Sequence, residues 1–352
     1  MVIGLVAPSS GFAANYGPEA EQGFELALAA AKEQAGGASI KLVKVDEDVL
    51  DSSQTLERVK KVVESDGADI VVGPIFGSNQ QAVSAYLTQA GVPMFTMLGG
   101  DETLAGENSA FIWPGADTLT AGPLGTYAAE ELGYDTIATL APDYAYGKNA
   151  IQGATDAFEA AGGSVAQQQW VPLGTTDMLQ YATALDKDVD ALVMWLVPAD
   201  AAAFVREYRN LEIKVPLLMF QGVFDPTYQE IGGDLIGEIG LNEYNHLLDN
   251  DANAEFTSAY EDEYGDVPNQ TTAFAYAVAN IIITALNDND GDTSVEALRG
   301  ALDGQELDTV IGAASYDVDG VAASGRTVVK SVKGDDGRFE WEPVKTYENI
   351  GH

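Results

Sequence analysis

Short β-rich runs alternate with helical stretches almost from end to end of this chain, and no other feature restricts its fold as tightly. Residues 2–7 read as a strand. In the helical stretch 17–34 that follows, Phe24, Ala27, Leu28 and Ala31 recur at i, i+3, i+4 and i+7. Strands over 40–45, 70–72 and 94–97 then alternate with helices over 54–64 and 80–89. The pattern restarts at 118–132 and runs through strands at 136–140, 164–171, 191–197 and 216–220, with helices at 148–161, 177–185 and 199–210 between them. Strict alternation predicts βαβ units and parallel sheets covered on both faces, so the fold class is α/β with two similar lobes. The third quarter breaks the rhythm: 252–264, 271–286 and 293–302 read as helices that cover a sheet already built. The tail, 327–332 and 339–344 around Gly-Asp-Asp-Gly, reads as a two-stranded ribbon.

Composition removes several function classes. The 55 Asp and Glu against 17 Lys and Arg give a net charge of −38, which repels nucleic acid and anionic membrane. Hydrophobic content of 46% excludes a disordered acidic chain. The absence of cysteine removes disulfides, thiolate nucleophiles and cysteine-based metal sites together. His246 and His352 are the only histidines, leaving little imidazole chemistry. No apolar run reaches the ~18 residues that would span a bilayer. Met1 runs straight into the first strand, so a leader of the kind a secreted precursor carries is expected to have been removed.

Enzymatic and metal signatures fail on inspection. Gly147-Lys148 lacks the phosphate-loop pattern, because Pro142 stands at the first glycine position and Asn149 replaces Ser/Thr. No dinucleotide fingerprint or nucleophile elbow occurs. The stretch Asp288-Asn289-Asp290-Gly291-Asp292 has its glycine at position 4 of a would-be calcium loop and Arg299 at position 12, and a solvated turn fits it better. No catalytic residue, cofactor or metal is expected.

The loops at the carboxyl ends of strands remain, where open α/β sheets bind ligands. Pro8–Gly11 with Asn15, Tyr16 and Gly17 follow the first strand, Gly73–Asn79 the third, and Leu98–Asp101 the fourth. Ser78 is expected to cap the helix that opens near Gln80, with the first backbone N–H groups forming a small anion site that needs no lysine.

The motifs Leu5-Val6-Ala7-Pro8-Ser9-Ser10-Gly11, Tyr16-Gly17, Val72-Gly73-Pro74, Ser78, Gly91-Val92-Pro93, Asp143-Tyr144-Ala145-Tyr146-Gly147 and Phe220-Gln221-Gly222 occur in one order along the chain. In combination they resemble the branched-chain amino-acid-binding proteins of ABC importers, type I periplasmic binding proteins. The resemblance implies two Rossmann-like lobes joined by a three-stranded hinge, with 1–116 and 246–324 in one lobe and 117–245 and 325–352 in the other. It implies a ligand cleft between them, a cognate ABC permease as partner, an extracytoplasmic location and a monomer. Ser78 corresponds to the serine that holds a ligand carboxylate. Tyr16 and Tyr146 correspond to cleft-lining aromatics, and Trp195 falls close to a third. The expected ligand-binding residues are Ser10, Tyr16, Phe76, Ser78, Asn79, Leu98, Gly99, Gly100, Tyr146, Trp195, Gln221 and Phe224.

Two departures shape the expected ligand. Gln221 stands where the family has the acid that pairs with an α-ammonium, and Gly100 replaces a threonine at the same polar end. A buried ammonium without its counter-charge loses about 3–5 kcal/mol. A zwitterionic amino acid is therefore disfavoured unless Asp101, Asp200 or Asp225 substitutes. The aromatics Tyr16, Phe76, Trp113, Tyr146, Trp195 and Phe224 near these loops suit a flat or apolar ligand body. The expectation is a small carboxylate ligand, aromatic or deaminated. The alternatives are a genuine branched-chain amino-acid binder and a ligand-sensing receptor or amide sensor on the same fold.

Overall fold

The computed structural model of the chain describes residues 1–32, 34–106, 109–172, 175, 177–221, 227–335 and 337–350. The chain forms two compact units. The first comprises Met1–Ala116 and Leu248–Gly325 with the chain end from Asn349; the second comprises Asp117–Leu247 and Arg326–Glu348.

In the first unit the elements run β1 (Val2–Ala7), α1 (Tyr16–Ala30), a small ribbon of β2 (Gln34–Ala35) and β3 (Ala38–Ser39), β4 (Lys41–Asp46), α2 (Ser52–Glu64), β5 (Ile70–Val72), α3 (Gly77–Ala90), β6 (Met94–Phe95) and β7 (Ala110–Phe111). Five of the strands make a parallel sheet in the order β4-β1-β5-β6-β7. All of Ile70–Val72 is buried, as the run of β-branched residues requires of a strand covered on both faces. Val6, Val59, Val71, Val83, Leu87, Met94 and Ile112 pack between this sheet and its helices.

The second unit holds α4 (Gly122–Glu130), β8 (Thr136–Pro142), α5 (Ala145–Ala160), β9 (Ser164–Val171), α6 (Leu179–Ala184), β10 (Ala191–Met194), α7 (Pro198–Asn210), β11 (Leu217–Phe220), α8 (Thr227–Leu235) and β12 (Ile239–Asn242). Strands β9-β8-β10-β11-β12 are parallel neighbours in that order. Two cores flank the sheet: Phe204, Tyr208, Met219 and Leu235 lie in one, and Leu124, Ile151, Phe158 and Phe220 in the other.

The chain then returns to the first unit with α9 (Asp251–Tyr264), α10 (Gln270–Asp288), α11 (Val295–Leu302), β13 (Leu307–Thr309) and β14 (Gly312–Tyr316). The three helices appear where the sequence pattern places them. Strands β13 and β14 were not legible in the pattern, being short and broken by Gly312 in a left-handed turn. Strand β15 (Ala322–Lys333) pairs with β14 through Ala322 and Ala323 and with β12 through Thr327–Lys330, antiparallel in both cases. Its partner in the terminal ribbon is β16 (Phe339–Ile350), longer than the expected 339–344. The Asp288–Asp292 turn is closed by Asn289, whose Oδ1 accepts from the Gly291 and Asp292 N–H groups at 3.1 and 3.0 Å.

Helix α4 approaches α5 closely enough that a Cβ on Gly125 would stand 2.0 Å from the Ala154 carbonyl oxygen. Gly125→Ala should therefore lower stability by at least about 2 kcal/mol, because two helix backbones must separate. At Gly300, on exposed α11, nothing lies within 4 Å of an added Cβ. Gly300→Ala should raise stability by about 0.5–1 kcal/mol, since alanine costs less backbone entropy in a helix. Thermal or denaturant unfolding of the two variants checks the opposite signs.

Candidate functional site

The expected residues fall in two clusters, one in each unit, and both lie just beyond the carboxyl ends of parallel strands. In the first unit the organising group is Glu47, the residue after β4. Its buried carboxylate accepts from the Ile75 and Phe76 N–H groups at 2.8 and 2.9 Å and from the Asn79 side-chain amide at 2.7 Å. Glu47 thereby pins the turn that leads from β5 into α3. Burial is the largest influence on this carboxyl and, with the charge of Asp46 adding to it, pushes it up to about 7 against the pull of those three hydrogen bonds. Gln80 braces the same turn from within, donating to the Pro74, Ile75 and Gly99 carbonyls at 3.0, 3.2 and 3.3 Å.

This arrangement corrects the expected cap. The helix begins at Gly77 with Phe76 as its N-cap, and no side chain caps it. Ser78 sits in the first turn, exposed, and its hydroxyl takes no part in the hydrogen bonds among the described residues. The reason is that Glu47 already holds the turn from below, which leaves the Gly77 and Ser78 N–H groups and the serine hydroxyl at the open end of α3. Asn79 is also reassigned: it is buried, with its amide committed to Glu47 and to the Asp48 carbonyl at 3.0 Å, so it supports the turn from inside.

Ser10 is likewise tied down, donating to Asp46 at 3.3 Å, while the Ser9 N–H and hydroxyl each reach the same carboxylate at 2.8 Å. Burial raises the Asp46 carboxyl, but these bonds and the Arg58 charge outweigh it and hold the group below its ordinary value. Tyr16 meets Phe76 edge to face, ring centroids 6.2 Å apart. Burial, with the Glu19 charge second, pushes the Tyr16 phenol up to about 12. Gly99 turns in the left-handed region and donates to the Trp113 carbonyl at 2.7 Å, with Leu98 partly exposed before it. At Gly100 an added Cβ would stand 3.2 Å from Ile112 and 3.3 Å from the Gln80 side-chain oxygen, so this corner has little slack for a larger residue. Trp113 is a correction: it is fully buried against Phe274 and belongs to the core of the first unit.

In the second unit the first turn of α5, just after β8, and the loops after β10, β11 and β12 bring Tyr146, Trp195, Gln221 and Glu243 together. The Trp195 indole donates to the Gln221 side-chain oxygen at 3.0 Å. The Gln221 amide donates to the Tyr146 hydroxyl at 2.7 Å and to the Glu243 carboxylate. An indole N–H needs an acceptor and a carboxylate needs a donor, so these neighbours fix which way the amide points. Gln221 holds this position with a backbone φ of 46°, a left-handed conformation uncommon outside glycine and asparagine. The Tyr146 and Trp195 rings meet at 76° with centroids 4.9 Å apart, and Tyr144 lies 6.0 Å from Trp195. Burial, then the charge of Glu243, pushes the Tyr146 phenol well above its ordinary value.

Beneath this cluster lies a group the sequence reading missed. Arg326, on β15, is fully buried and pairs with Glu243 at 3.4 Å. Burial works against its charge and Glu243 supports it, the net direction being down. An arginine set within the otherwise uncharged Ala322–Val329 run was the available signal. Glu243 carried none, being one acid among 55 acidic residues. Of the aspartates expected to substitute near Gln221, Asp101 is engaged by Thr103 at 2.9 and 2.7 Å, and Asp200 stands partly exposed in the first turn of α7. Asp225 and Phe224 lie outside the described residues.

Among the described residues no group of three or more His, Cys, Asp or Glu side chains could hold a metal ion, and no helix is long and apolar enough to cross a membrane. The sequence model of the family described as "Periplasmic binding protein" matches residues 1–337. The Leu/Ile/Val-binding protein homolog 8 of Brucella abortus (strain 2308) is 26% identical over 333 residues, which cover 88% of this chain and 82% of that relative. Of the solved structures, the ABC transporter substrate-binding protein from Sphaerobacter thermophilus matches with a TM-score of 0.92 at 24% identity, covering 100% of this chain and 98% of its own. A solute binding protein of an ABC transporter from Rhodopseudomonas palustris BisB5, in complex with 3,4-dihydroxy benzoic acid, matches with a TM-score of 0.90 at 21% identity over 99% and 98% of the two chains. At these identities the two structures establish the type I periplasmic binding fold.

Glu47 gives the first cluster a pH signature. Its carboxyl is raised from 4.5 to about 7 on folding, so between those values the folded protein holds more protons than the unfolded chain. Stability should fall as pH rises through this window, by on the order of 3 kcal/mol from this one group, and level off above about 7. Comparing unfolding free energies of the parent and Glu47→Gln from pH 4 to 8 isolates the effect. The difference between the two proteins should change with that slope, and a flat difference would contradict it.

Proposed function

The chain belongs to the periplasmic binding protein family, and on that premise we propose that it is the extracytoplasmic receptor of an ABC importer, binding a small organic acid without a free α-amine. It is a binding protein of this family, not an enzyme. In this reading it works as a monomer and hands its ligand to a cognate permease. Each unit carries a recognition element of its own. The open end of α3, with the Gly77 and Ser78 N–H groups and the Ser78 hydroxyl, takes the carboxylate. The rings of Tyr146 and Trp195 supply a surface for an apolar or aromatic body.

The observation that carries this reading is the state of Gln221. Its amide oxygen is used by Trp195 and its N–H groups by Tyr146 and Glu243, and the Glu243 charge is answered by Arg326. The acid next to Gln221 is thus already paired with a cation. A buried ammonium left without a counter-charge costs about 3–5 kcal/mol, or roughly 150- to 5000-fold in affinity. The benzoic acid ligand of the Rhodopseudomonas palustris protein agrees with this class.

A second reading, a branched-chain amino-acid binder, is favoured by the name of the Brucella relative and by the proximity of Glu243 to Gln221. The Arg326 charge weighs against it, because a carboxylate already paired offers an ammonium little net attraction.

Mass spectrometry of whatever small molecule leaves the protein on denaturation, followed by calorimetry of benzoate, 4-methylpentanoate and L-leucine, tests the reading. Binding of the acids with leucine at least about 100-fold weaker is the expected result. Micromolar binding of leucine with no response to the acids would overturn it. Ser78→Ala should weaken an acid ligand by about 1–3 kcal/mol, the range for a hydrogen bond to a charged group, with unchanged thermal stability.

A further inference from the structure

We infer that Arg326 is the specificity-determining residue of the second-unit cluster: by offsetting the charge of Glu243 it weakens the pull of the Gln221 corner on an ammonium group and shifts selectivity towards ligands that lack one. The inference deepens the functional reading above and rests on it for the location of the ligand. Arg326 acts on that corner mainly through its ion pair with Glu243, and its charge also reaches the Tyr146 phenol.

The geometry places three groups in series. Arg326 Nη2 lies 3.4 Å from one Glu243 oxygen, and the other Glu243 oxygen accepts from the Gln221 amide. That amide also holds the Tyr146 hydroxyl and receives the Trp195 indole. Gln221 is partly exposed, whereas the Arg326 and Glu243 side chains have 0 and 2% of their area accessible. A pair so deeply buried gains little from water screening, so its net charge is felt at the exposed amide above it. With both partners ionised that net charge is close to zero. Remove the arginine charge, and the Glu243 carboxylate, one hydrogen bond below the surface, loses the cation that offsets it. A unit charge about 7 Å away, at an effective dielectric constant of about 20, changes affinity for a charged ligand group by on the order of fiftyfold.

Stability gives no reason for an ion pair here. Buried pairs are often matched or exceeded in stability by apolar residues of similar volume. The flanking residues of β15 are the apolar or small residues that a covered strand would carry throughout. What the pair does supply is an acid to orient the Gln221 amide together with a cation that prevents this acid from attracting an ammonium.

The test uses matched ligands that differ only by the α-amine: L-leucine with 4-methylpentanoate, and L-phenylalanine with 3-phenylpropanoate. Calorimetry on the full chain gives the affinity ratio of amino acid to deaminated acid for the parent, Arg326→Gln and Glu243→Gln. Arg326→Gln should move the ratio at least about tenfold towards the amino acid. Glu243→Gln, which removes the carboxylate beside the arginine, should move it the opposite way. The two directions keep the test decisive if one variant fails to fold, with circular dichroism and thermal unfolding as the check. Ratios that stay within about twofold in a folded variant, or that move in the reverse sense, overturn the inference. A parent that prefers leucine to 4-methylpentanoate overturns the functional reading alone, because this test depends only on the direction in which each substitution shifts the ratio.

Discussion

A parallel strand covered on both faces carries mostly apolar side chains, so the polar chemistry of this protein gathers mainly beyond the strand ends. Every residue of β5, β10 and β11 is buried, so none of these strands carries a group that could meet a ligand along its length. The polar groups collect where the strands stop. Ser9 follows β1, Glu47 follows β4, Trp195 follows β10, Gln221 follows β11 and Glu243 follows β12. Parallel strands all end on the same side of their sheet, and a neighbouring set of loops becomes a cluster without any element departing from the βαβ pattern.

The two clusters use buried acids in different ways. Glu47 has no cation beside it among its hydrogen-bond partners; it faces two backbone N–H groups and an amide, and burial raises its carboxyl towards neutrality. Its work is mechanical, holding the β5–α3 turn so that the helix end stays open. Glu243 is answered by a full positive charge, and its remaining oxygen orients Gln221. One acid shapes a backbone; the other, together with Arg326, sets the charge of a corner. Charge balance at the second cluster is thus local, in a chain whose net charge of −38 would otherwise oppose any anion. Beyond about 10 Å at 0.1 M salt that global charge is largely screened, and nearby donors dominate.

Much of the fold was legible because hydrophobic period and strand length survive burial unchanged. Helix Gln270–Asp288 and strands such as Ser164–Val171 lie where the pattern placed them. The short strands Ala110–Phe111, Leu307–Thr309 and Gly312–Tyr316 were missed, since none is a run of the buried β-branched residues that marks Ile70–Val72. The site was legible to the level of loops. Tyr146, Trp195 and Gln221 do converge, as loops following adjacent strands must. Ser78 was placed at the right turn but given a capping role that Glu47 makes unnecessary, and Asn79 and Ser10 proved to be committed to carboxylates within the protein.

By itself the sequence determined the alternating α/β architecture, the absence of cysteine chemistry and the loops in which polar residues could gather, because these depend on order along the chain. Which acid stands beside Gln221, and which cation answers it, depended on β12 and β15 pairing antiparallel, with Asn242 opposite Thr327. That register brings Glu243 next to Arg326 across 82 residues of intervening chain, a distance over which no local pattern carries information. Tertiary pairing alone could turn two unremarkable charges into a buried ion pair, because such a pair exists only where folding removes the water between its partners.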